Sequence, residues 1–220
     1  MTVAVDSNTV AYLPLTTDLT DQCGNEWTAH EEAAVSDGAL VLDGANDYLS
    51  TPIAPFNVGD AWTYECYLNF SSLPSSDYYA PYIFELYANN DNRMQMAAQF
   101  NGSSGLMGST VINGTGTNAK NNFVPTVGTW YHAAFVRSGN TIYFFVAGNL
   151  IASAAVAGAT PTFTYPLVVG AGYWNNALDG ACYFPGKIKQ VRISKTARYT
   201  EPFTPPTFGD ESLARRRQVM

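Results

Sequence analysis

From Trp62 to Phe70 the chain alternates with a period of two. Trp62, Tyr64, Cys66, Leu68 and Phe70 fall on one side, and Thr63, Glu65, Tyr67 and Asn69 on the other. Successive residues of an extended strand point to opposite faces, so this run is a strand with one apolar face. Before the C-terminal tail no long run carries a helical period. The stretch 129–137 alternates in the same way. In 142–147 both faces are apolar, which predicts a central strand covered twice. Ser138-Gly139-Asn140 and Ala147-Gly148-Asn149 supply turns, so 129–137, 141–147 and 150–156 are predicted as a three-strand meander. Further strands are predicted at 9–15, 38–43, 47–52, 81–88, 92–100, 106–112, 166–171 and 183–194. In the last, the order Ile188, Val191, Ile193 breaks the alternation, and a bulge near Lys189–Gln190 would restore one buried face. The polar segments 71–79 and 113–122 are predicted as loops. Pro202, Pro205 and Pro206 predict an extended strap over 202–208. Many short strands without intervening helices define an all-β fold of two packed antiparallel sheets or a barrel.

The expected core holds Trp62, Tyr64, Leu68, Trp130, Ile142, Phe144 and Ile188. The sandwich is expected to span 1–208, with a charged tail at 209–220. With 46% hydrophobic and 13% charged residues, the chain is not disordered as a whole. A net charge of −7 argues against nucleic acid and anionic membrane surfaces, and no apolar run reaches the length of a membrane span. The N-terminus lacks a basic region followed by a long apolar stretch, so synthesis in the cytoplasm without a signal peptide is expected. Cys23, Cys66 and Cys182 are an odd set without close spacing, so neither a disulfide framework nor a zinc site is expected.

Four stretches, in order, resemble laminin-G-like jelly-roll domains of the concanavalin A-like lectin/glucanase superfamily. They are LVLDGANDYLSTP at 40–52, the strand at 62–70, GTWYHAAFVRSGNTIYFFVAGNL at 128–150 and YFPGKIKQVRISKTARYTEPFTPP at 183–206. Together they imply a jelly-roll β-sandwich. The closing string VRISKTARYTEPFTPP is similar to domains of structural proteins of tailed bacteriophages. That resemblance implies a decoration, fibre or tail component on the virion exterior, with other virion proteins and copies of itself as partners. Lys189 and Gln190 stand where the family often carries an acid, which departs from any inherited metal or contact role there.

The same sandwich carries glucan hydrolases, which need two carboxylates flanking the scissile bond. Here 81–88 holds only Glu85 and 62–70 only Glu65, and adjacent Glu31 and Glu32 would face opposite ways. His132 shares a face with Trp130 and Ala134 and is expected to be buried or hydrogen-bonded there rather than catalytic. The chain is therefore expected not to be an enzyme. Sugars are held by aromatic faces and by Asn and Asp groups. Tyr173, Trp174, Asn175, Asn176 and Asp179 form the first candidate saccharide site, for host-surface polysaccharide. The segments 77–82 and 87–92 have a similar mix. Calcium is common in the superfamily, and Asp91 and Asp179 are its candidate ligands. Arg215, Arg216 and Arg217 are the candidate docking group for an acidic neighbour. A secreted or cell-surface carbohydrate-binding module and a glycan hydrolase of the glucanase type are the alternative readings.

Overall fold

The alternating run around Trp62 lies in the interior of a large sheet. In the computed structural model, which describes residues 5–73, 80–99 and 105–207, the strands are β1 (Thr9–Leu13), β2 (Thr28–His30), β3 (Ala34–Ser36), β4 (Ala39–Asp43), β5 (Tyr48–Thr51), β6 (Ala61–Phe70), β7 (Tyr82–Asn89), β8 (Asn92–Ala98), β9 (Leu106–Ile112), β10 (Thr115–Lys120), β11 (Tyr131–Ser138), β12 (Thr141–Val146), β13 (Asn149–Ala155), β14 (Leu167–Val169), β15 (Tyr173–Trp174), β16 (Ala177–Leu178) and β17 (Pro185–Ser194). The first sheet runs β13-β12-β11-β6-β17-β4-β3, with β1 also on β17. The second runs β10-β9-β8-β7-β14-β5-β2. The pairings are antiparallel. The two sheets pack face to face as a β-sandwich of the jelly-roll type.

Between the sheets, Tyr64 of β6 stacks on Phe84 of β7 with ring centroids 4.8 Å apart. Trp62 meets Phe135 edge-on at 4.9 Å. Trp62, Leu68, Phe135, Ile142, Phe144 and Ile188 are all fully buried. Such aromatic contacts add specificity to the apolar burial that drives the fold. The gap beside Tyr64, Phe84 and Leu167 is apolar and lies inside this core, a packing void rather than a site. Cys66 is a buried core residue, and all three cysteines are free thiols.

The bulge in β17 is where the broken alternation placed it. Its register against β6 shifts between Lys189 and Arg192, and Gln190 has φ 54. Ile188 before the bulge and Val191 and Ile193 after it are buried in the core. The expected meander is β11-β12-β13. β12 lies one strand in from the edge rather than at the centre, but both its faces are covered.

Two expectations need correction. Trp130 precedes β11 and is only half-buried, because the core face of this strand belongs to Ala133 and Phe135. Trp130 has the Lys189 ammonium 4.3 Å from its ring centroid instead. The segment 113–122 is not all loop. Asn113 and Gly114, with φ 49 and 77, make a two-residue turn, and β10 returns along β9 from it. Asn-Gly is the standard residue pair for that turn.

The outer face of the first sheet is covered by residues 195–207, which take an extended path without forming a strand. Tyr199 and Phe203 stack at 3.5 Å and lie on Ala134, Val136 and Phe145. Under this strap Glu65 is fully buried. Its Oε1 accepts from Arg192 Nε at 2.7 Å. Its Oε2 accepts from the Tyr199 hydroxyl at 3.0 Å and pairs with His132 Nε2 at 3.0 Å. Burial works to raise the Glu65 pKa, but His132 and Arg192 outweigh it and hold the carboxyl below its ordinary value. The DGANDYL stretch has an equally local reason. Asp43 Oδ1 accepts the Ala45 amide at 2.7 Å, and Asp47 accepts the amides of Glu32 and Asp43 at 2.8 and 3.0 Å.

The described sandwich extends to Thr207. The tail 209–220, with Arg215, Arg216 and Arg217, lies outside the described residues, as do 74–79. Among the described residues no helix is long and apolar enough to cross a membrane.

Candidate saccharide site

In the second sheet, Leu86, Met94 and Met96 face the core. Their neighbours in sequence therefore face outward, and register lines them up: Glu85 opposite Gln95, and Tyr87 opposite Arg93. A short hairpin, β15–β16, lies over this face. Its turn residues Asn175 and Asn176 have φ 50 and 66. Asparagine tolerates that left-handed conformation, which a two-residue hairpin turn requires twice.

The two residues of β15 point opposite ways. Tyr173 is buried, stacks on Tyr87 at 5.3 Å, and donates its backbone N–H to Glu85 Oε2. Trp174 turns outward and is 48% exposed, which matters because few large apolar side chains here are. The Arg93 guanidinium lies 4.8 Å from its ring centroid. The turn is fastened to the β7–β8 turn. Asn90 Nδ2 donates to Asn175 Oδ1 at 2.6 Å, and the Asn175 amide donates to Asn90 Oδ1 at 3.1 Å. The Tyr87 hydroxyl accepts the Asn176 amide at 3.2 Å and itself donates to Asn90 Oδ1 at 2.7 Å. Asn175 and Asn176 thus spend their backbone amides, and Asn175 also its Oδ1, on holding the hairpin. Their Nδ2 groups have no partner among the described residues.

The expected constellation is therefore brought together in part. Trp174, Asn175 and Asn176 share the exposed tip, while Tyr173 is a buried support beneath it. Asp179 follows β16 and is half-buried, with Oδ1 accepting the Ala181 amide at 3.0 Å. Asp91 sits on the exposed β7–β8 turn, where its carbonyl accepts from Gly114. Among the described residues no three His, Cys, Asp or Glu side chains group so as to hold a metal ion. Asp91 and Asp179 are carried by separate turns. Of the segment 77–82, residues 77–79 lie outside the described residues, and Tyr82 is buried against Cys182.

Glu85, Arg93 and Gln95 were not among the expected site residues. Glu85 Oε1, Arg93 Nε and Nη1, and Gln95 Oε1 are all buried without a hydrogen-bond partner among the described residues. Burial pushes the Glu85 carboxyl up to about 8, against the pull of the Tyr173 amide and Arg93 and with a further push from Asp179. At neutral pH it is therefore mostly the neutral acid. The order Arg93-Met94-Gln95-Met96 did carry the signal, since its polar residues alternate with core methionines.

The family model described as the concanavalin A-like lectin/glucanases superfamily matches residues 43–201. The chain belongs to that superfamily. No curated protein sequence matches it. Among solved structures, domain 4 of AbnA, a GH43 extracellular arabinanase from Geobacillus stearothermophilus, in complex with arabinotriose, is similar at TM-score 0.70 and 16% identity. The match covers 86% of this chain and 93% of that one. A structure concerned with botulinum neurotoxin type C and its interaction with two ganglioside molecules is similar at TM-score 0.63 and 10% identity, over 87% of this chain and 49% of that one. The botulinum neurotoxin serotype C1 binding domain gives TM-score 0.61 and 11% identity over 87% and 49%. This chain spans about half the length of those toxin chains. At such identities the likeness is one of fold.

Proposed function

We propose that the chain is a non-catalytic saccharide-binding domain whose site is the tip of the β15–β16 hairpin. The observation that carries this is Trp174, exposed on a hairpin fixed at three hydrogen bonds and stacked against Arg93. A rigid exposed indole offers a flat apolar face to the C–H side of a sugar ring, and the Asn175 and Asn176 side-chain Nδ2 groups offer donors to its hydroxyls. The fold relatives described with arabinotriose and with gangliosides support saccharide as the ligand class. The buried state of Glu85 supports a non-enzymatic reading, because its free oxygen cannot reach a scissile bond from outside.

The setting in which this domain works is a tailed-phage particle, displayed on the exterior and contacting host-surface glycan. The likeness of residues 191–206 to phage structural domains supports that setting. Binding is tested by affinity electrophoresis of the full chain in gels containing branched arabinan, mixed-linkage β-glucan or host-surface polysaccharide. Retardation that is weakened about tenfold in Trp174→Ala, with the melting temperature kept, is expected. A wild-type chain that no polysaccharide retards removes the reading. Immunogold labelling of intact particles with serum against the chain tests the display, and absence of label removes it.

A further inference from the structure

On the other side of the hairpin the same sheet face carries a second group of half-exposed rings. His30 of β2 and Tyr48 of β5 are cross-strand partners and stack with centroids 4.1 Å apart and 2° between planes. Tyr183 lies 6.3 Å from Tyr48 at a 44° tilt. The Ser50 hydroxyl holds His30 Nε2 at 2.8 Å and so fixes the imidazole in the stack. The rings of Tyr48 and Tyr183 pack on the buried Tyr173 and Val168 beneath, so their positions are set by the sheet and not by solvent.

What the fold leaves unused here is polar. The hydroxyls of Tyr48 and Tyr183 have no hydrogen-bond partner among the described residues. Glu31, exposed at the neighbouring turn, has no cation beside it among those residues. Its backbone is left-handed, φ 57, in a turn closed by the Ala33 amide on the His30 carbonyl at 3.2 Å. Glycine or asparagine would satisfy that turn with less strain. Burial first, and then the Glu31 charge, raise the Tyr48 pKa. Burial, Tyr48 and Glu31 do the same for Tyr183. Glu31 directly follows His30 at the end of β2, which places it beside the stacked pair.

We infer that His30, Tyr48, Tyr183 and Glu31 form a second saccharide subsite, separate from Trp174 and on the opposite flank of the hairpin. This rests on the reading of the chain as a saccharide-binding domain. A sugar presents an apolar C–H face and a rim of hydroxyls that both donate and accept. The Tyr48 face turned away from His30 and the Tyr183 ring take the first, the two phenols exchange hydrogen bonds with the second, and Glu31 accepts from a pair of neighbouring hydroxyls. An organic cation is a poorer match. The His30 and Tyr48 rings each cover one face of the other, so no gap is left between them for a cation, unlike the separate walls of an aromatic cage.

The test is affinity electrophoresis of the full chain in gels containing branched arabinan or mixed-linkage β-glucan, comparing wild type, Trp174→Ala, Tyr48→Ala, Tyr183→Ala and the pair Trp174→Ala with Tyr183→Ala. Each single change is expected to weaken retention about tenfold, and the pair more than either. Where an alanine variant melts early, Tyr48→Phe and Tyr183→Phe keep the rings and remove only the hydroxyls, and a several-fold loss is expected. If Trp174→Ala loses retention while every Tyr48 and Tyr183 variant migrates as wild type, the second subsite is overturned and the Trp174 site stands. If the tyrosine variants lose retention and Trp174→Ala does not, the subsite stands and the hairpin-tip site falls. If tetramethylammonium shifts the Tyr48 and Tyr183 ring resonances and neither polysaccharide does, the patch is a cation site and the inference is overturned. A wild type that no polysaccharide retards overturns both.

Discussion

Arg93 lies with its guanidinium carbon 4.8 Å from the centroid of the Trp174 ring, across the boundary between a regular sheet and the hairpin that lies on it. Arg93 comes from β8, where alternation with Met94 and Met96 turns it outward. Trp174 comes from a turn some eighty residues later, oriented by two left-handed asparagines. The contact holds an exposed indole in one orientation. Arg93→Ala should free the ring without touching the core. Cation–π contacts at exposed sites contribute about 0.5–1 kcal/mol, so saccharide affinity should fall about two- to fivefold. Isothermal titration with the retained polysaccharide measures this, and an unchanged affinity means the guanidinium does not order the indole.

The ion cluster under the strap should behave differently. Glu65 is buried with Arg192 at 2.7 Å and His132 at 3.0 Å, and Tyr199 closes it from above. Removing one member of such a cluster leaves an uncompensated buried charge, at a cost of about 3–5 kcal/mol. Glu65→Leu should therefore destabilise strongly in urea unfolding. The combination Glu65→Leu with Arg192→Met should lose less than Glu65→Leu alone, because no charge is then stranded. Additive losses would mean that the strap, not the ion pair, is the main contribution.

Gly148 sets the height of the strap above β12. A Cβ there would lie 1.9 Å from the Phe203 carbonyl oxygen, and the residue has φ 78. The Gly148 carbonyl also accepts the Phe203 amide at 2.9 Å. Gly148→Ala should lift Phe203 off Phe145 and cost about 1–3 kcal/mol. Limited proteolysis should then cut first between Lys195 and Phe203. A wild-type cleavage pattern would show that the backbone there can give way.

The regular strands were legible because each carries its own period: β6 and the β11–β13 meander follow from alternation and turn residues alone. The bulge in β17 was legible for the same reason, since Ile188, Val191 and Ile193 cannot share one face without it. Trp130 was misplaced because a single apolar residue at a strand end has no alternation to fix its side. The strand β10 was missed because its polar residues belong to an edge, where only Ala119 is fully buried. At the site, Trp174 and its asparagines were legible as a turn with an exposed ring. Glu85, Arg93 and the His30–Tyr48–Tyr183 group were not, because register between distant strands brings them together. The family motif at 130–137 likewise shows its reason only in three dimensions, with His132 on Glu65 and Arg137 donating to the carbonyls of Gly139 and Gly158.

Glu85 gives the fold a pH dependence of definite sign. Its carboxyl titrates near 8 in the folded chain against an ordinary value of 4.5. Between those values the folded state holds a proton that the unfolded state has released, so stability falls as pH rises. The contribution is fully present below about 4.5 and is lost by about 8, a change on the order of a few kcal/mol. Glu65 has the opposite sign. Its folded value lies below the ordinary one, so its contribution holds through this window and fades only at lower pH. Glu85→Gln keeps the shape and stays neutral throughout. It should match wild type near pH 5 and be the more stable of the two at pH 8.5, with the difference growing steadily between them. Urea midpoints across that range measure it, and parallel curves for the two proteins would mean that Glu85 is ionised in the folded state. The same variant tests chemistry: any turnover of β-glucan that survives purification and vanishes with Glu85→Gln would make the chain a hydrolase.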